Sequence, residues 1–175
     1  IPIESFFKRP DYSQMQLSPD GRHLAAVVPL KGRNNLAVID VETKKSTVIT
    51  DLSKLDISQF WWVNNGRLCI RLGDAQEVTG LFTYRGTYCL DRDGDNVRDF
   101  TRIGVSDANA VDTYGGLRSL DPLRRVLNES GEMLMEARLR SVDSADVYRF
   151  NTRTGRYVLL SENNPGDVRT WTLDW

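Results

Sequence analysis

Gln16-Leu17-Ser18-Pro19-Asp20-Gly21-Arg22, followed by the apolar run Leu24-Ala25-Ala26-Val27-Val28, is the stretch on which the fold turns. A Pro-Asp-Gly turn here feeds a strand whose successive residues are apolar, the pattern of a strand covered on both faces. The glycine accepts the positive φ that a tight hairpin turn requires. Past a polar loop at Lys31 to Asn35 comes a second such strand, Leu36-Ala37-Val38-Ile39-Asp40. A turn at Val41 to Lys44 and a third strand, Ser46-Thr47-Val48-Ile49-Thr50, close the unit.

Working outward, the same order recurs. Trp62-Val63-Asn64-Asn65-Gly66-Arg67 leads into Leu68-Cys69-Ile70-Arg71-Leu72, then Thr87-Tyr88-Cys89-Leu90-Asp91 and the turn Arg92-Asp93-Gly94-Asp95. Val126-Leu127-Asn128-Glu129-Ser130-Gly131 leads into Met133-Leu134-Met135-Glu136-Ala137. Asp146 to Asn151, the turn Thr152-Arg153-Thr154-Gly155 and Tyr157-Val158-Leu159-Leu160 complete that unit. The matching apolar-polar pairs Leu17-Ser18, Val63-Asn64, Leu127-Asn128 and Leu173-Asp174 are spaced by 46, 64 and 46 residues. The long middle interval comes from residues 102–125, a polar, Gly-containing stretch read as an inserted loop or irregular hairpin.

Short strands, Gly-marked turns and a repeat of this length predict an all-β fold, a partial β-propeller rather than an open sandwich. It comprises about three four-stranded blades plus the first strand of a fourth, Trp171-Thr172-Leu173-Asp174-Trp175. The expected layout is an N-terminal arm at 1–14 and an incomplete propeller at 15–175. Within the propeller the units are 15–59, 60–125 and 126–170, with the next beginning at 171–175. Closed propellers have about four to eight blades. The chain opens on Ile1 and stops inside an aromatic strand, so the expectation is a processed fragment of a longer polypeptide. Its two open blade faces are expected to favour self-association.

Composition narrows the function. The 175 residues are 40% hydrophobic and 27% charged with a net charge of −1, which suits a globular core. That balance offers no basic footprint for nucleic acid and no polybasic membrane patch. The longest strongly apolar run, Leu24 to Val28, is five residues, whereas a spanning helix needs roughly 20. One histidine and two cysteines are too few for a self-contained His/Cys zinc site or a multi-bridge disulfide scaffold. No cofactor or metal is expected.

Each candidate site residue has a plainer reading. Gly104-Val105-Ser106-Asp107-Ala108 is the nearest string to a nucleophile elbow, but no helix is signalled after Ser106 and no histidine follows His23. Ser106 is therefore read as a loop serine, and no residue of the chain as catalytic. His23 is read as a blade side chain, since it lacks the second group that catalysis or metal binding requires. Asp91, Asp93, Asp95 and Asp99 invite a calcium loop, yet EF-hand spacing would place the glycine at Asn96 and a carboxylate at Arg102. A solvated hairpin turn is the expectation. Cys69 and Cys89 fall at matching positions of adjacent strands, and two buried thiols are favoured over a bridge. Trp61, Trp62, Trp171 and Trp175 are read as wedges between blades, with Trp61 and Trp62 facing opposite ways. Arg124-Arg125 and Arg138/Arg140 are read as solvated.

The opening Ile1-Pro2-Ile3-Glu4-Ser5-Phe6-Phe7-Lys8-Arg9-Pro10-Asp11-Tyr12, joined to Leu17-Ser18-Pro19-Asp20-Gly21-Arg22-His23-Leu24-Ala25, resembles the mature N-terminus of bacterial prolyl oligopeptidase-family serine peptidases. Asn35-Leu36-Ala37-Val38-Ile39-Asp40 continues the likeness, which is sharp over residues 1–50. The resemblance implies a propeller that gates short peptides to a C-terminal α/β-hydrolase domain carrying a Ser-Asp-His triad. That domain is absent from this chain. The implied partners are the hydrolase domain and a peptide substrate, and the implied location is the periplasm or beyond. A stand-alone periplasmic propeller that binds protein partners is the rival reading. A carbohydrate- or calcium-binding propeller lectin is disfavoured, because no aromatic-plus-acid pattern recurs in each unit.

Overall fold

The computed structural model describes residues 11–76, 86–100, 120–125, 130–141 and 143–174. The first sheet holds β1 (Ser13–Leu17), β2 (His23–Leu30), β3 (Arg33–Asp40) and β4 (Ser46–Val48). The second holds β5 (Asp56–Asn64), β6 (Arg67–Gly73), β7 (Thr87–Asp91) and β8 (Arg98–Asp99). The third holds β9 (Asp121–Arg125), β10 (Glu132–Ala137), β11 (Asp146–Asn151) and β12 (Tyr157–Leu159). Strands in each sheet follow chain order, and every pairing is antiparallel.

Two apolar layers join the sheets. Ala25, Val27, Leu36 and Val38 of the first sheet pack on Phe60, Trp62, Leu68, Ile70 and Leu90 of the second. The alternate residues of that second sheet, Trp61, Val63, Cys69 and Cys89, pack on Met133, Met135, Tyr148 and Phe150 of the third. The period-two alternation of strand side chains thus serves two partners at once, which is why these strands are apolar at successive residues. Full burial of a side chain such as Phe60 or Leu68 contributes about 1.5–3 kcal/mol. β5 also touches β1 and β9, so the first strands adjoin. This is the stacking of successive propeller blades.

Each sheet closes its third strand with a backbone-bonded turn, spanning four residues in the first and third sheets and three in the second. Lys44 N donates to Asp40 O, Gly94 N to Asp91 O and Gly155 N to Asn151 O, each at 2.9 Å. Gly94 shows why glycine is needed: its φ is +94°, and a Cβ there would lie 2.8 Å from the Ile49 carbonyl oxygen.

Three expectations are corrected. Residues 121–125, read as the end of an insertion, form β9, whereas 102–119 lie outside the described residues. β5 starts at Asp56, so the second sheet begins before the expected boundary at 60; β1, its counterpart, is mostly exposed, Met15 and Leu17 included, and lacks the continuous apolar run that marks the buried strands. Residues 171–174 contain no strand. A strand needs a paired neighbour, and the backbone N–H of Trp171 is instead taken by Glu136 Oε2 at 2.8 Å.

Candidate functional site

Because each sheet is an antiparallel meander, its connections fall at two ends. The tight turns 18–22, 41–45, 65–66, 92–97 and 152–156 lie at one end. The opposite end carries the 31–32 turn, the link 49–55, residues 74–76 and 86, and residues 138–141 and 143–145.

At the tight-turn end the acidic cluster does not converge. Asp93 Oδ1 accepts from Asp95 N at 3.0 Å within its own turn, and Asp99 is exposed on β8. Asp91 faces the third sheet, with Arg67 at 2.9 Å and Arg153 at 3.0 Å. Burial pushes the Asp91 carboxyl up, but hydrogen bonds from Asn96, Arg67 and Arg153 outweigh it and hold the group below its ordinary value. In the equivalent turns Asp40 and Asn151 accept from the backbone N–H of Thr43 and Thr154. The second unit has therefore turned its capping carboxylate outward to a neighbouring sheet. Among the described residues no three His, Cys, Asp or Glu side chains are grouped to hold a metal ion.

His23 is likewise an inter-sheet residue. Its Nδ1 lies 3.4 Å from Arg92 Nη1 and its Nε2 3.9 Å from Asp40 Oδ2. It borders a groove of about 290 Å³ with Lys45, Thr47 and Asp93. Ser106 and Trp175 lie outside the described residues. Trp61 and Trp62 face opposite sheets: Trp61 Nε1 donates to Met133 Sδ at 3.2 Å, Trp62 Nε1 to Gln16 O at 3.0 Å. Trp171 is half-buried, with its Nε1 donating to Ala145 O at 2.8 Å.

The cysteines overturn the expectation of free thiols, since Cys69 and Cys89 form a disulfide. Register explains it. The two residues are direct partners on β6 and β7, on the same buried face, and directly opposed antiparallel positions bring Cβ atoms to about 4.5–5.5 Å or closer.

At the loop end sits a buried ion cluster with no sequence forewarning. Arg33 Nη1 donates to Asp56 Oδ2 at 2.8 Å and to Asp74 Oδ1 at 2.7 Å. The hydrogen bonds that Arg33 donates to Asp74 and then Asp56 hold its guanidinium above its ordinary value. Asp56, only 3% exposed, also accepts from Asn34 N at 2.8 Å and Ala75 N at 3.1 Å. It thus ties β3, β5 and the segment after β6 together. Above it opens a cleft of about 200 Å³.

Asp146 anchors the third sheet at the same end. Arg140, which is half-exposed rather than free in solvent, grips it from Nε at 2.8 Å and Nη2 at 2.6 Å. Arg140 is the largest cause that lowers this carboxyl from 3.8 to about 2. A folded value below the unfolded one stabilises the fold above the unfolded pKa, and the contribution is lost as pH falls through the folded value. The stability of the wild type is expected to fall more steeply between about pH 4.5 and pH 2 than that of Asp146→Asn. Urea midpoints across that window check this, and parallel curves would show that the pair contributes nothing.

No family model matches the chain, and no curated protein matches its sequence. Solved structures do match. The oligogalacturonate lyase in complex with manganese shares a TM-score of 0.53 at 11% identity over 87% of this chain and 43% of that one. An acylaminoacyl peptidase in complex with Z-Gly-Gly-Phe-chloromethyl ketone gives 0.50 at 16% over 88% and 25%. TolB from Acinetobacter baumannii gives 0.50 at 15% over 85% and 32%. At these identities the likeness is one of fold. The class is therefore defined: this chain is a partial all-β propeller of three described four-stranded sheets. More particularly, it spans 25%, 32% and 43% of the peptidase, TolB and lyase chains.

Proposed function

We propose that this chain is the N-terminal propeller portion of a prolyl oligopeptidase-like serine peptidase, with an arm ahead of β1 and the propeller from β1 onward. It gates short peptides to a C-terminal hydrolase domain of the same parent and breaks no bond itself. The observation that carries this reading is the joint occurrence of the aromatic arm and Leu-Ser-Pro-Asp-Gly turn with a blade stack like that of the acylaminoacyl peptidase. The Cys69–Cys89 disulfide supports maturation in an oxidising compartment such as the periplasm or outside the cell.

The test is covalent labelling by a fluorophosphonate serine probe. The 175-residue chain is expected to remain unlabelled, and the product of the complete gene to be labelled once. An unlabelled complete product rejects the peptidase reading. The rival reading, a stand-alone periplasmic propeller that binds protein partners, would then take its place.

A further inference from the structure

We propose that the cleft above Asp56 is a subsite for one uncharged aliphatic residue of an extended peptide; the choice of peptide rests on the gating reading above. Its walls are held in place from below. Both Asp56 oxygens are occupied by Arg33, Asn34 N and Ala75 N, so the carboxylate fixes the rim and presents no free charge to a ligand. The aliphatic lining is Val27, Pro29 and Ala75. The polar lining is Ser13, Asn34 and Gln76.

The polar groups are available. Neither the Ser13 hydroxyl nor the Asn34 carboxamide has a side-chain hydrogen bond among the described residues, and Gln76 makes one long contact, Nε2 to Gly32 O at 3.4 Å. A carboxamide carries a donor and an acceptor side by side, as does the backbone of an extended peptide. Ser13 is brought here by an irregularity: pairing of β1 with β2 shifts between Ser13 and Gln16, and Gln14 has a φ of +48°. Such bulges re-aim side chains beside binding sites. The volume of about 200 Å³ is below the roughly 300–1,000 Å³ of sites for drug-sized ligands, so it suits one residue. Among the described residues no aromatic ring lines it for a sugar to stack on.

The test titrates isotope-labelled chain with N-acetyl-Ala-Val-Ala-amide and follows amide resonances. Saturable shifts are expected at the Asn34 and Gln76 side chains and at Val27 and Ala75. Joint replacement Asn34→Ala and Gln76→Ala should weaken binding about tenfold or more, since two hydrogen bonds are lost. Ala75→Leu should abolish it by filling the cleft, and spectral dispersion reports whether that variant folds. The inference is overturned by absence of saturable shifts at these residues, by undiminished affinity of the Asn34/Gln76 variant, by equal affinity for N-acetyl-Ala-Glu-Ala-amide, or by shifts with maltotriose and none with peptide. Failure of the peptidase reading is separate, because it shows as an unlabelled complete product whatever this cleft binds.

Discussion

Replacing Arg67 by methionine is expected to lower the stability of the fold by about 3–5 kcal/mol, the range for breaking a buried ion pair from one side. Arg67 is 1% exposed and spans the second and third sheets. Its Nε donates to Thr152 Oγ1 at 3.0 Å and its Nη2 to Thr152 O at 2.7 Å. Its Nη1 reaches Asp91 Oδ1 at 2.9 Å. Methionine fills much of the volume but leaves the Thr152 carbonyl without this donor, and Asp91 with the half-exposed Arg153 as its remaining cationic partner among the described residues. Burial lowers the Arg67 pKa, yet a guanidinium stays charged at any working pH. Lysine at this position keeps the charge and loses the fork, so Arg67→Lys should fall between wild type and Arg67→Met. Urea denaturation reads the difference. A loss below about 1 kcal/mol for Arg67→Met would mean that the seam does not depend on this side chain.

The second large effect is expected from the disulfide. Reducing Cys69–Cys89, which are 20 residues apart, should cost about 3 kcal/mol, chiefly by freeing the unfolded chain. The double variant Cys69→Ala, Cys89→Ala should lose somewhat more, because both sulfurs are buried against Trp61 and Phe150 in the layer between the second and third sheets. Denaturation midpoints with and without reductant measure the first effect. A thiol titration of unfolded, unreduced protein should find no reactive thiol. Two reactive thiols together with an unchanged midpoint would remove the bridge and its support for an oxidising compartment.

Much of the blade stack was legible. Leu24 to Val28 and Leu36 to Ile39 declared two-sided burial by lacking alternation, and the structure packs Ala25, Val27, Leu36 and Val38 with Phe60 and Trp62 on one face while Ala26, Val28 and Ala37 are buried on the other. Trp61 and Trp62, adjacent in a strand, had to face apart, and they do. The first strands were harder to see. β1, Ser13–Leu17, alternates polar residues with an exposed Met15 and Leu17, so it lacks the continuous apolar run that marks its counterpart, buried β5. Asp91 looked like a turn carboxylate because its sequence neighbours are a turn, and it does accept from Asn96 there; the cation it also binds, Arg67, is 24 residues earlier.

The sequence by itself determined the strands, their turns and the four-stranded repeat, because burial period and glycine conformation are properties of residues that are near one another in the chain. Only the tertiary structure decided what the seams contain. Arg67 with Thr152 are separated by 85 residues, and Arg33 with Asp74 by 41. Such contacts depend on the register of each strand and on which end of a sheet a side chain reaches. Arginine and aspartate are common enough on surfaces that their composition does not announce a pair. The Cys69–Cys89 bond has the same origin: a one-residue slip between β6 and β7 would have put the two sulfurs on opposite faces.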